Sequence, residues 1–217
     1  MSKDITDIIF DLDGTLIDSA PSILESYKLA LEVNNIEPIC QLNSDLIGPP
    51  LRETLTKITG ISDISTLNKL ADDFKKYYDL GGYRSTKPFF GVGELLKECK
   101  FSGHRLHIAT NKRLVPTTLI LNYFGWKQYF KSIYALDSVS PSFSNKRIML
   151  SALLDVENIN LNSAIYVGDR FEDYQSAIDN DLNFLGAIWG YQDQKLVTNE
   201  AIICCHKLEQ FSQYINN

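Results

Sequence analysis

No apolar run in this 217-residue sequence approaches the length needed to span a bilayer, so no membrane partner is expected. Positive charge is in short supply as well. Lys and Arg total 21 against 27 Asp and Glu, a formal net charge of −6. Broad nucleic-acid binding needs a basic footprint, so no nucleic-acid partner is expected. A small anionic substrate stays compatible, because the local field of a pocket can oppose the net charge. The four cysteines, Cys40, Cys99, Cys204 and Cys205, form no CxxC pair. That argues against a thiol metal site or a disulfide framework, and reduced thiols point to a cytoplasmic setting. The amino-terminal MSKDITDIIFDLDG carries acidic residues where a secretory leader needs its apolar core. There is no internal repeat and no low-complexity segment, and the Ser-rich run at 138–145 is too short for a domain linker. The oligomeric state is left open.

What is present is organised around IIFDLDGTLIDS, residues 8–19. A short apolar run bounded by Asp and Gly reads as a buried strand ending in a turn. It puts Asp11 and Asp13, separated only by Leu12, at the carboxyl end of a strand, where open α/β sheets bind ligands. A turn alone accounts for Asp13-Gly14. It does not account for Asp11, since a carboxylate there is costly unless paired, hydrogen-bonded or bound to a metal.

Past this stretch the pattern is helical. One helix is predicted over 21–33, capped by Asp18 or Ser19, with Pro21 in its first turn and Ile23, Tyr27, Ala30 and Leu31 on one face. A second runs from near Pro50 to before Gly60. A third covers 64–78, with Leu67, Leu70, Ala71, Phe74 and Tyr77 along its stripe and Gly81-Gly82 as its stop. From Lys87 onward strands and helices alternate. Helices are predicted over 93–100, 115–124, 146–154 and 173–180, strands over 104–110, 133–136, 164–168 and 183–189, and a weaker strand–helix pair closes the chain. Such alternation implies βαβ units and a parallel sheet. The expectation is an α/β fold with a doubly wound parallel-sheet (Rossmann-like) core of residues 1–15 and 86–217. An inserted α-helical domain, residues 16–85, follows the first strand.

Three later features fall where Asp11 and Asp13 do. Thr110, followed by Asn111, ends one strand; Lys146 starts a helix; Asp169 ends another strand, with Asp173 four residues on. Parallel strands bring their carboxyl ends to one edge, so these groups converge although far apart in sequence. Clustered carboxylates without His or Cys suit Mg²⁺, and such an ion lets a carboxylate attack a dianionic phosphate. Lys146 and Thr110 would meet the equatorial oxygens as charge spreads over them.

DLDGTLIDS, the TNK of Thr110, Asn111 and Lys112, Lys146, and VGDRFED at 167–173 resemble the four ordered motifs of the haloacid dehalogenase superfamily. KPFFGVGELLKECK and the later WGYQ (189–192) resemble its phosphoglycolate-phosphatase-like branch, in which the inserted helical domain is a cap. The resemblance implies that Asp11 is the nucleophile, forming an aspartyl-phosphate, and that Asp13 protonates the leaving alkoxide and then activates water. It implies Mg²⁺ on Asp11, on the backbone carbonyl of Asp13 and on Asp169, with Asp173 holding the metal's water shell or orienting Lys146. Thr110, Asn111 and Lys146 would bind the phosphate. The implied activity is a Mg²⁺-dependent phosphatase acting on a small phosphorylated metabolite, phosphoglycolate-like or a nucleoside monophosphate. A β-phosphoglucomutase-like phosphomutase and a non-catalytic metabolite sensor are the alternatives. Two positions depart from the pattern: Arg147 stands where relatives often carry Pro, and Arg170 where they commonly carry a small residue.

Other features read as structural. His104 and His107 are three apart on a predicted strand and so point to opposite faces. Gly91-Val92-Gly93 lacks the third glycine of a dinucleotide fingerprint. Arg52, Tyr83 and Arg84 are candidates for substrate contact, against the simpler reading as surface charge.

Overall fold

The computed structural model describes residues 5–216. Six parallel strands form the main sheet: β1 (Asp7–Phe10), β4 (Arg105–Thr110), β5 (Phe130–Ala135), β6 (Ala164–Gly168), β7 (Asn183–Ala187) and β8 (Cys204–Cys205). Their order is β5-β4-β1-β6-β7-β8. The chain therefore moves outward from β1 in one direction, then returns to its other side at β6. The carboxyl end beside β1 is the topological switch point, where the crossovers diverge and leave a crevice. Phe10 pairs in register with Ile108 on one side and Val167 on the other. The residues that follow each of these three therefore emerge at the same edge.

Alternation along the strands divides the core. Ile8, Phe10, Leu106, Ile108, Ile165 and Val167 face one side, covered by α4 (Val92–Phe101) and α9 (Leu208–Asn216). Ile9, Ala109, Tyr166 and Phe184 face the other, under α6 (Lys146–Val156) and α7 (Phe171–Ile178). A strand buried on both faces needs apolar residues at every position, as the IIF of β1 supplies. The crossover helix α5 (Leu114–Tyr123) and a short α8 (Gln194–Val197) complete this part; α8 has no counterpart in the sequence reading.

The helical segment contains α1 (Ala20–Val33), α2 (Leu51–Thr59) and α3 (Ile64–Leu80). Ile23, Tyr27, Ala30 and Leu31 are buried as expected, with the Tyr27 and Phe74 rings 4.6 Å apart between α1 and α3. The stripe of α3 ends differently. Tyr78, not Tyr77, is buried, because a step of four from Phe74 stays on the row that faces α1. A ribbon also went unread: β2 (Ile17–Asp18) pairs antiparallel with β3 (Lys87–Pro88). Strands of two residues leave no periodicity in a sequence. This ribbon brings the exit of the helical segment back to its entry.

His104 and His107 do behave as structural groups. The buried His107 ring lies with Nε2 3.1 Å from Asp7 Oδ1 and Nδ1 2.7 Å from Ser132 Oγ, and His104 Nδ1 meets the Ile5 carbonyl at 2.8 Å. Arg105 Nη2 donates to Asp7 Oδ2 at 2.6 Å. Burial raises the Asp7 carboxyl's affinity for a proton, but bonds from Arg105, Thr6 and His107 outweigh it and leave the pKa below its ordinary value. Burial pushes His107 below its ordinary value despite Asp7. Both groups bind protons less readily folded than unfolded, so each contributes stability that is lost as pH falls. For His107 the loss begins near its unfolded pKa of about 6.5. The stability of the native protein relative to His107→Gln should therefore shrink as pH falls from about 7 to about 5. Urea-unfolding midpoints of the two proteins measure this, and parallel pH profiles would contradict it.

Candidate active site

Four of the seven expected site residues, Asp11, Lys146, Asp169 and Asp173, meet at the carboxyl edge. The Asp11 backbone N–H donates to the Val167 carbonyl at 2.9 Å, which continues the β1–β6 pairing and fixes Asp11 beside the start of the Gly168-Asp169 turn. Lys146, the first residue of α6, is 3% exposed. Its Nζ donates to Asp11 Oδ1 at 3.1 Å and to Asp173 Oδ1 at 2.5 Å. Asp173 Oδ2 accepts the Arg170 N–H at 3.0 Å, so Asp173 also caps its own helix α7. The Tyr166 hydroxyl, 3.2 Å from Asp173 Oδ1 and 2.9 Å from the Ala109 carbonyl, closes the floor.

Asp169 is fully buried. Thr15 Oγ1 donates to its Oδ1 at 3.3 Å, while its Oδ2 has no hydrogen-bond partner among the described residues. Arg170 Nε stands 3.5 Å from that oxygen. Gly14 has φ +86°, and a Cβ there would lie 2.3 Å from Asp169 Oδ2. Only glycine allows both this turn and this approach.

Asp13 is oriented separately. Its Oδ1 accepts from Ser19 Oγ at 2.5 Å, and Lys112 Nζ donates to Oδ1 at 3.0 Å and Oδ2 at 3.2 Å. The carboxylate group of Asp13 therefore lies outside the trio of Asp11, Asp169 and Asp173 whose oxygens fall within 4.8 Å of one another. Any contact of Asp13 with a metal is left to its backbone carbonyl, as the resemblance implied. Lys112 was not singled out in the sequence, although it closes the Thr110-Asn111-Lys112 motif. Its side chain is buried, over the Tyr78 ring at 4.6 Å. Thr110 is buried at the end of β4 and accepts the Lys112 N–H at 3.2 Å. Asn111 Nδ2 donates to the Gly48 carbonyl at 3.0 Å and to Glu172 Oε2 at 3.2 Å, tying the loop before α2 to the core.

Among the described residues Lys146 is the cation hydrogen-bonded to the acidic trio, and Arg170 Nε lies 3.5 Å from Asp169 Oδ2. Burial raises the Asp11 pKa to about 7; Lys146 opposes the shift, while Asp173 and Asp13 add to it. Burial, then Asp173 and Asp11, push Asp169 well above the usual carboxylate range. Lys146 is held well above its ordinary value because Asp11 and Asp173 outweigh the cost of its burial. Oxygen donors, excess negative charge and an unpartnered buried oxygen are what a hard divalent cation requires. The residues present fit Mg²⁺.

A cavity of about 70 Å³ adjoins Asp13, walled by residues of α1, α3 and the loop before α2. Arg52, Tyr83 and Arg84 do not line it. Arg52 bonds to Asn68, and Arg84 lies over the Tyr83 ring at 5.7 Å. Arg147 is exposed. Arg170 is not: its Nη2 donates to the Ser44 carbonyl at 2.9 Å, and its guanidinium sits 5.5 Å from the Tyr191 ring. The WGYQ stretch clasps the exit from Asp13. Trp189 Nε1 donates to the Thr15 carbonyl at 2.8 Å. The Tyr191 hydroxyl accepts the Ser19 and Ala20 N–H groups at 2.9 Å each. A Cβ on Gly190 would lie 1.7 Å from the Gly14 carbonyl oxygen, so this position tolerates no side chain while the loop stays where it is.

Comparison with known proteins agrees with this fold. Tyrosine-protein kinase PtkA of Mycobacterium tuberculosis is 31% identical over 185 residues, 85% of this chain and 62% of that protein. The chain thus spans less than two thirds of that relative's length. A 5'-nucleotidase of Pseudomonas aeruginosa is 27% identical, covering 97% of this chain and 95% of its own, and a phosphoglycolate phosphatase of Xylella fastidiosa is 28% identical, covering 87% and 82%. Among solved structures, a "predicted phosphatase" from Clostridium acetobutylicum superposes with a TM-score of 0.85 at 29% identity, covering 98% of each chain. Among the described residues no helix is long and apolar enough to cross a membrane. Residues 8–187 match the family described as haloacid dehalogenase-like hydrolase, and the chain belongs to that family.

Proposed function

We propose that this chain is a Mg²⁺-dependent phosphatase that hydrolyses a small phosphomonoester through an aspartyl-phosphate. The observation that carries the reading is Lys146, buried and bonded to both Asp11 and Asp173, beside the unpartnered oxygen of Asp169. A purely structural ion-pair cluster would satisfy its carboxylate oxygens; this one leaves a buried oxygen of Asp169 without a hydrogen bond among the described residues, in a crevice suited to ligands.

In this mechanism Asp11 attacks phosphorus, and the bond from phosphorus to the ester oxygen breaks. Asp13 gives its proton to the departing alkoxide. Asp13 then takes a proton from water, whose oxygen attacks the phosphorus of the aspartyl-phosphate, releasing orthophosphate and regenerating Asp11. Ser19 and Lys112 grip both Asp13 oxygens, and this fixes the carboxyl group for its two transfers. Lys146 and Thr110 meet the equatorial phosphoryl oxygens, and Asn111 holds the loop at Gly48 over the site. Asp11, the Asp13 carbonyl and Asp169 would hold Mg²⁺, with Asp173 orienting Lys146. The ion supplies positive charge that offsets repulsion between the carboxylate and the phosphate dianion.

Residues 16–85 act as a cap in this reading. The antiparallel β2–β3 ribbon at their two ends supports that, and so do ties from Ser44 and Gly48 to core side chains. Phosphoglycolate-like acids and nucleoside monophosphates are the substrate classes the sequence points to, and the four unpaired thiols support a cytoplasmic setting. The test is phosphate release from p-nitrophenyl phosphate and a panel of phosphorylated metabolites, with and without Mg²⁺. Release should stop when EDTA removes the metal and return when Mg²⁺ is restored. Turnover unchanged in EDTA would refute the metal requirement, and no turnover of any ester would refute the phosphatase.

A further inference from the structure

Resting on the phosphatase reading, we infer that the site narrows the substrate classes named above to phosphomonoesters whose leaving group is uncharged and partly apolar, against phosphoglycolate-like acids, and that Asp79 sets this preference by neutralising Arg113. The leaving group must reach Asp13, which protonates it, and the cavity beside Asp13 is where it fits. Ile23, Tyr27, Leu46, Ile47, Phe74 and Pro116 give that cavity an apolar wall. Burying an apolar flank against such a wall is favourable.

Two cations line the cavity among the described residues, Lys112 and Arg113. Neither is available to a new anion. Lys112 Nζ is shared between the two Asp13 oxygens at 3.0 and 3.2 Å. Arg113 is bound in a two-pronged pair, Nη1 to Asp79 Oδ2 at 2.8 Å and Nη2 to Asp79 Oδ1 at 2.6 Å. That geometry uses the guanidinium's preferred mode of carboxylate recognition. Asp79 comes from α3 and Arg113 from the turn before α5, so the pair also joins the helical segment to the core. A leaving-group carboxylate would give up its hydration here and compete with Asp79 for the one guanidinium of suitable shape. An uncharged group of the same size makes no such demand.

A matched pair of esters tests this. 2-Hydroxyethyl phosphate and 2-phosphoglycolate differ by a hydroxymethyl group against a carboxylate. The kcat/KM for the first should exceed that for the second by at least about tenfold. Asp79→Asn frees Arg113, so the ratio of phosphoglycolate to hydroxyethyl phosphate should rise at least about fivefold. Adding Arg113→Met to that variant should return the ratio to the native value. Equal or preferred hydrolysis of phosphoglycolate by the native enzyme overturns the inference and leaves the phosphatase reading standing. An unchanged ratio in folded Asp79→Asn also overturns it. Release of phosphate from neither ester, nor from p-nitrophenyl phosphate, overturns the phosphatase reading and this inference together.

Discussion

Replacing Asp11 by Asn should abolish phosphate release while leaving the fold intact. The amide matches the carboxyl group in shape but has no anionic oxygen with which to attack phosphorus. Loss of the nucleophile removes the covalent route, so turnover should fall by about 10⁴-fold or more. Stability should move the other way or not at all. Asp11 is buried, and burial together with Asp173 and Asp13 raises its pKa to about 7. In metal-free buffer a neutral side chain at this position relieves repulsion, and Lys146 keeps its bond to Asp173. The expected pair of results is therefore no phosphate release and a thermal midpoint equal to or above that of the native protein in EDTA. Turnover within tenfold of native would remove Asp11 from the mechanism. A folded, inactive variant with unchanged metal-free stability would separate a chemical role from a structural one.

The parts of this arrangement legible in the sequence are those that depend on local pattern. Strand-end acids and a helix-start lysine can be placed because apolar runs and turn residues mark where strands stop. Asp11, Asp169, Lys146 and Asp173 meet as that logic requires. What escaped depends on approaches between distant segments. Lys112 was read as part of a motif, yet nothing local says that its amine turns back 99 residues to Asp13. Arg170 drew notice as a departure, but its bond to the Ser44 carbonyl depends on the loop before α2 folding over the sheet edge. Gly190 looks like an ordinary turn glycine until the Gly14 carbonyl is seen against it. The β2–β3 ribbon is too short for any period to register, and Tyr77 against Tyr78 turns on one step of helix that only the position of α1 decides. The wall of the cavity beside Asp13 belongs to this second class. Chemistry was therefore easier to read than specificity.

Replacing Lys146 by Met should cost both activity and stability, and the stability loss should depend on pH in a direction that identifies its cause. Lys146 and its two partners are almost wholly buried, with side-chain exposures of 3% for Lys146, 5% for Asp11 and 0% for Asp173. Met fills similar volume, so packing alone predicts a small effect. Electrostatics predicts a large one. Removing one partner of a buried ion pair leaves an uncompensated charge and typically costs about 3–5 kcal/mol. Here Asp11 and Asp173 would lose the cation that bonds both, leaving the trio with Arg170, 3.5 Å from Asp169, among the described residues. The folded-state proton affinities of Asp11 and Asp169, already raised, would rise further. A carboxyl group whose pKa is higher folded than unfolded binds protons on folding, so the variant should regain stability as pH falls. Urea unfolding in EDTA should show a wide gap between native and variant near pH 8 and a narrower gap near pH 6. Mg²⁺ should narrow the gap at the higher pH, since a divalent cation neutralises the same oxygens. Phosphate release should stay low under all three conditions, because neither protons nor the metal replaces the amine at the phosphoryl oxygens. A gap that is small, or that is large but independent of pH and Mg²⁺, would show that Lys146 contributes by packing rather than by charge.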